Sequence, residues 1–193
     1  MQKFYSLRMF RVLACLVFLC GLTACAKEQV YHDPVMDFSM ITRVAIMPLA
    51  NYANDQNAPD RVRDVLATRL QAAGAFYVMP MGEVMRAVNR SQIRYPAAPS
   101  AEEIQKIGKL IDVEAVFTGG LREYGTIRSG SVSANSISMS LQLIETETGK
   151  VIWTGTATSG GIGWPDRLFG GGGRPMNEVT VEAVDSLLNQ LFN

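Results

Sequence analysis

One histidine and three cysteines are all that the 193 residues offer to the commonest nucleophilic and metal chemistries. His32 lies in a stretch without hydrophobic period, so neither a Ser-His-Asp triad nor a Cys-His pair has a base to draw on. Cys15 and Cys20 fall inside an apolar amino-terminal run. Cys25 is then left alone, and neither a disulfide nor a thiolate metal set can assemble. Net charge is missing too: Lys+Arg 18 balances Asp+Glu 18. That balance argues against a nucleic-acid partner. A long hydrophobic run is also lacking, since Val12 to Leu22 is only eleven residues. A membrane-spanning helix needs roughly 20.

What the amino terminus does have is order: basic Lys3, Arg8 and Arg11, the apolar run, then small residues before a cysteine. This is a secretory signal. Leu22-Thr23-Ala24-Cys25 has the spacing of a bacterial lipobox, in which the Cys25 sulfur takes a diacylglyceryl group and the cysteine becomes an acylated first residue. Cleavage after Ala26 is the alternative, because Ala24-Cys25-Ala26 is also small-x-small; Leu22 and the lack of any other mature cysteine favour lipid. The expected divisions are a signal over 1–24, a lipidated tether over 25–42, and one domain over 43–193. The basic residues lost with the signal leave the mature chain with three more acidic than basic residues.

Within the domain the period changes repeatedly. Val44 to Leu49 is a short apolar run without alternation, which predicts a strand covered on both faces. Asn57-x-x-Asp60 around Pro59 reads as a helix start, and Val62, Val65, Leu66, Leu70 and Ala73 follow until Gly74. Phe76 to Met79 reads as a second strand, parallel to the first. Met81 to Arg90 predicts a short helix. Ser100-x-x-Glu103 is a capping box ahead of Ile104, Ile107, Leu110 and Ile111, with Gly108 permitting close packing. Ala115 to Leu121 is a third strand, and a polar, serine-rich stretch from Gly125 to Asn135 follows. Ile137 to Ile144 alternates, Gly149 turns the chain, and Val151 to Thr158 returns. Val181, Val184, Leu188 and Leu191 mark a last helix. The fold class is therefore α/β (α+β), a single domain with about five strands in a mixed sheet packed by helices, in the order β-α-β-α-α-β-β-β-α.

Catalytic and cofactor signals are weak throughout. Gly149-Lys150 and Gly161-x-Gly163 lack the surroundings of phosphate-binding loops. Glu102 and Glu103 suit the dipole of a helix's first turn, and Glu145 and Glu147 flank a turn. The reading is no enzyme, no cofactor and no metal. Gly160 to Pro175 stands out, with seven glycines and two prolines around Trp164, Leu168 and Phe169. It is either a long loop folded back on the domain or a contact surface for a partner or a second copy.

Three stretches carry a resemblance: Leu70 to Phe76; Gly108 to Gly119 followed by Tyr124-Gly125; and Leu141 to Trp153. Together with the opening strand ending in Pro48-Leu49 they resemble the CsgG-like envelope lipoproteins. That group includes the curli secretion channel and the LpoB activator of cell-wall synthases, and its α/β domain is similar to the amino-terminal domain of TolB. The resemblance covers about Arg43 to Phe192. It implies a periplasmic, non-enzymatic module that binds envelope proteins or assembles into homo-oligomers, with a curli-type channel subunit as the alternative. Ala26 replaces the aspartate that retains lipoproteins at the inner membrane in enteric bacteria, so the expected location is the outer membrane, facing the periplasm.

Overall fold

The computed structural model describes residues 30–163 and 173–192. It is one domain, a seven-stranded mixed sheet packed by four helices among the described residues. The strands are β1 (Tyr31–His32), β2 (Arg43–Ile46), β3 (Ala50–Asn51), β4 (Tyr77–Val78), β5 (Ala115–Ser129), β6 (Val132–Glu145) and β7 (Val151–Gly160). The helices are α1 (Ala58–Ala73), α2 (Met81–Arg90), α3 (Ala101–Ile111) and α4 (Met176–Phe192). Spatial order is β1-β7-β6-β5-β2-β4, with β3 pairing β5 beyond the end of β2.

Strand β2 lies parallel to both β4 and β5, with Val44 opposite Val78 and Ala115. Its unbroken apolar run has the expected cause. Val44 and Ile46 face a core shared with α1 and α4, while Ala45 and Met47 face another shared with α2 and α3. Arg63 of α1 is buried and donates to the Ile46 carbonyl at 2.9 Å. Burial pulls its pKa down, against the pull of Asp60.

Helix boundaries follow local chemistry. Gly74 ends α1 in the left-handed region at φ 67°, where a Cβ is costly. Asn57 precedes α1 without capping it; its own N–H is held by the Asp55 carboxylate at 2.9 Å. In α3 the capping box is complete, with Glu103 N–H donating to Ser100 Oγ at 3.2 Å and Ser100 N–H donating to Glu103 Oε2 at 2.7 Å.

Two stretches differ from expectation. The described part of the expected tether, from residue 30, packs onto the domain: Tyr31 pairs with Thr154 and His32 with Trp153, and Ile41 is buried. Elements this short have no sequence period to betray them. The polar, serine-rich stretch Gly125 to Asn135, given no element from sequence, completes the β5–β6 hairpin, pairing Gly125 with Ser136 through to Ser129 with Val132. Its residues 126–131 are all exposed, so no hydrophobic alternation marks it, and its register is inherited from the buried base of the same strands. With β1 and β3 added, the sheet has seven strands where about five were expected.

Candidate interaction surface

The hairpin end of the sheet carries unpartnered polar groups beside free backbone. Strand β3 stops pairing at Leu121, and β7 pairs β6 only as far as Ser136. Beyond these points β5 and β6 continue as a two-stranded ribbon, with no strand along β5, while on the β6 side Gly161 N–H still donates to the Asn135 carbonyl at 2.8 Å and Asn135 Nδ2 donates to the Arg174 carbonyl at 2.8 Å. Exposed edges of this kind are templates for pairing with another chain.

A register shift between Leu121 and Glu123 makes Arg122 the extra residue of a bulge. Bulges redirect side chains. Arg122 is exposed and has no hydrogen-bond or ion-pair partner among the described residues. It lines two adjoining grooves together with Tyr52, which is 76% exposed. One groove runs past Asp55, Tyr124 and Ile127; the other crosses the sheet toward Pro99, Ser140 and Gln142. Exposed tyrosine beside arginine is the composition of protein contact patches. Next to them lies a hydroxyl-rich part of the sheet, where Thr158 donates to Ser138 at 3.1 Å and Thr156 sits opposite Ser140.

Several charged groups elsewhere hold the fold together. Burial raises the Glu114 carboxyl, but the Arg43 side chain and the backbone N–H groups of Arg43 and Thr42 outweigh it, leaving the pKa below the ordinary range. Arg43 Nη2 reaches Glu114 at 2.6 Å. Glu182 is likewise held low, first by Arg174 and then by the Ser159 hydroxyl. The sole histidine, His32, is exposed against the Phe38 ring at 5.7 Å. Among the described residues no group of His, Cys, Asp and Glu is arranged to hold a metal ion. The chemistry this surface offers is a guanidinium, phenols, hydroxyls and open strand edges, which are means of binding.

Of the residues singled out from sequence, Cys25, Trp164, Leu168 and Phe169 all lie outside the described residues. Tyr52 and Arg122 were not singled out. A lone tyrosine in an Asn/Asp-rich loop is a faint sign of exposure, and nothing in the period marks the bulge.

The profile of the family described as "Putative lipoprotein GNA1162-like" matches residues 38–162. The chain belongs to the GNA1162-like family. A curated relative, "Putative lipoprotein NMB1124/NMB1162" of Neisseria meningitidis serogroup B, is 26% identical over 145 residues, covering 72% of this chain and 67% of its own. Among solved structures, a dodecamer of a PelC variant from Paraburkholderia phytofirmans aligns at TM-score 0.59 and 18% identity, over 86% of this chain and 98% of that one. Lipoprotein GNA1162 from Neisseria meningitidis aligns at TM-score 0.55 and 20% identity, over 79% and 99%. At these identities the likeness is one of fold. The LpoB part of the expected resemblance meets a looser alignment, with E. coli LpoB at TM-score 0.49, 13% identity and 61% and 55% coverage, which carries no argument. The family match supports the lipoprotein part of that resemblance and gives no support to the CsgG-like label.

Proposed function

We propose that the chain is a lipid-anchored lipoprotein of the outer membrane, facing the periplasm, and that it works without catalysis as an interaction or assembly factor of the cell envelope. The observation that carries this reading is the β5–β6 ribbon, whose β5 edge has no pairing strand past Leu121 among the described residues, beside Tyr52 and the unpartnered Arg122. Membership of a lipoprotein family supports the anchor, for which Cys25 is the attachment point. The dodecameric state of PelC supports self-association as one mode of action. Trp164, Leu168 and Phe169 are assigned to a second contact surface.

Two measurements test the reading. Cys25→Ala is expected to leave a folded domain that no longer fractionates with membranes; retention after a high-salt wash refutes the lipid anchor. Combining Tyr52→Ser with Arg122→Glu is expected to reduce the association seen by native mass spectrometry of the solubilised lipoprotein, with an unchanged melting temperature. Undiminished association would remove this surface from the reading.

A further inference from the structure

The sheet lies between two helical layers, α1 with α4 on one face and α2 with α3 on the other, and the outer surfaces of these layers differ in charge. Every charged residue of α4 is acidic: Glu178, Glu182 and Asp185. They recur at i, i+4 and i+7, opposite the stripe that α4 buries, and so form one outward row about 10 Å long. A shallow groove follows this row past Val181 and Asn189. Exposed Asp60 and Asp64 of α1 add to the same surface. Arg69 and Arg174 offset Asp185 and Glu182, Arg61 offsets Asp55, and an acidic excess is left. The opposite layer has the reverse sign. Past its first turn α2 carries only the basic Arg86 and Arg90, Arg94 follows in the loop, and α3 adds Lys106 and Lys109. Its acids stay in the first turns, where Arg86 holds Glu83 and the capping box holds Glu103, with Glu102 beside it. The side chains of Arg90, Arg94 and Lys109 make no hydrogen bond or ion pair among the described residues. Between them Met85, Tyr95 and Leu110 are 36%, 76% and 37% exposed, which adds apolar area to the basic layer.

We infer that copies of this chain associate head to tail, the acidic row of α4 on one copy seating against the basic α2–α3 layer of the next. This deepens the self-association part of the reading above and rests on it, but it uses neither Tyr52 nor Arg122. The two surfaces lie on opposite faces of the sheet, so a copy that engages one of them keeps the other free. Such a contact is heterologous, and repetition carries it into a closed ring or an open filament. Like surfaces repel, acidic against acidic and basic against basic, which opposes a two-fold dimer through either layer and fixes the polarity of assembly. An anionic lipid surface would match the basic layer alone. A second copy covers the basic layer and the acidic groove together.

The test is a charge exchange followed by sedimentation velocity of the detergent-solubilised lipoprotein. One variant combines Arg90→Glu with Arg94→Glu, the other Glu178→Lys with Asn189→Lys; both leave the ion pairs of Arg86, Arg69 and Arg174 in place. Each variant alone is expected to associate at least about ten-fold more weakly than the unaltered chain, at an unchanged melting temperature. An equal mixture of the two, and a chain carrying both pairs of substitutions, are each expected to recover association, because opposite charges then meet again. Raising the salt from about 0.1 M to about 1 M is expected to weaken the unaltered chain, since screening shortens from about 10 Å to about 3 Å. Either variant associating as well as the unaltered chain overturns this interface, and so does a mixture that fails to recover. Association lost only with Tyr52→Ser and Arg122→Glu keeps the self-association reading and removes this interface. An unaltered chain that stays monomeric at every concentration refutes both. Binding to phosphatidylglycerol vesicles that Arg90→Glu with Arg94→Glu abolishes, with no recovery on mixing, overturns the second copy in favour of lipid.

Discussion

At the residue scale, Gly108 and Thr146 show how one missing side chain can serve another. A Cβ on Gly108 would lie 2.3 Å from the Thr146 Cβ. The Thr146 hydroxyl is held there because it donates to the Val113 carbonyl at 2.6 Å. Gly108→Ala gains helix propensity of about 1 kcal/mol, but overpacking costs about 1 to 3 kcal/mol. The clash involves atoms near the backbone, so the loss is expected to win and lower the urea midpoint. An equal or raised midpoint would show that Thr146 can move aside at no cost. Glu114 gives a pH-dependent expectation. Its folded pKa is held below the ordinary value of 4.5, so the unfolded chain takes up the proton first. The stabilisation is complete above that value and is lost as pH falls through the folded pKa. Glu114→Gln is expected to lower stability at pH 7 and to flatten its fall below the ordinary carboxylate range, checked by urea midpoints across that range.

At the element scale, the β5–β6 hairpin has a buried base and a wet tip. Leu121 and Ile137 are fully buried, whereas residues 126–131 are exposed. Replacing Arg128 to Ser133 by Asn-Gly joins Ile127 and Ala134, which face each other in the register, through a two-residue turn. That change is expected to keep the melting temperature and to reduce self-association. A drop of several degrees would mean that the tip supports the core. The base was legible from sequence because Ile137, Met139, Leu141 and Leu143 alternate over the buried face of the sheet. The tip was not, since backbone pairing between two solvated strands leaves no side-chain pattern. The α3 capping box was legible for the opposite reason, because Ser100 and Glu103 act within one turn.

At the scale of the whole molecule, the ribbon bears on the channel alternative. A membrane strand needs about 9 to 11 residues of alternating apolar character. Past Leu121 the β5 arm runs through Arg122, Glu123 and Arg128, and past Ser136 the β6 arm ends within a few residues at Val132. The lipoprotein in detergent is accordingly expected to form no ion-conducting pore in a planar bilayer at any oligomeric state. Reproducible unitary conductance, abolished by shortening the hairpin tip, would reverse this.

Sequence alone determined what depends on neighbours along the chain. The helix limits at Gly74 and Ser100, the turn at Gly149 and the two-sided burial of Val44 to Met47 follow from propensity, capping and hydrophobic period. Tertiary structure alone decided the pairing of Tyr31 with Thr154, the bulge that frees Arg122 and the extension of β5 and β6 past their buried base. Each is a matter of which backbone meets which, across a long separation in sequence or through a single inserted residue. Backbone hydrogen bonds are nearly indifferent to side-chain identity, so such choices leave little trace in composition or period.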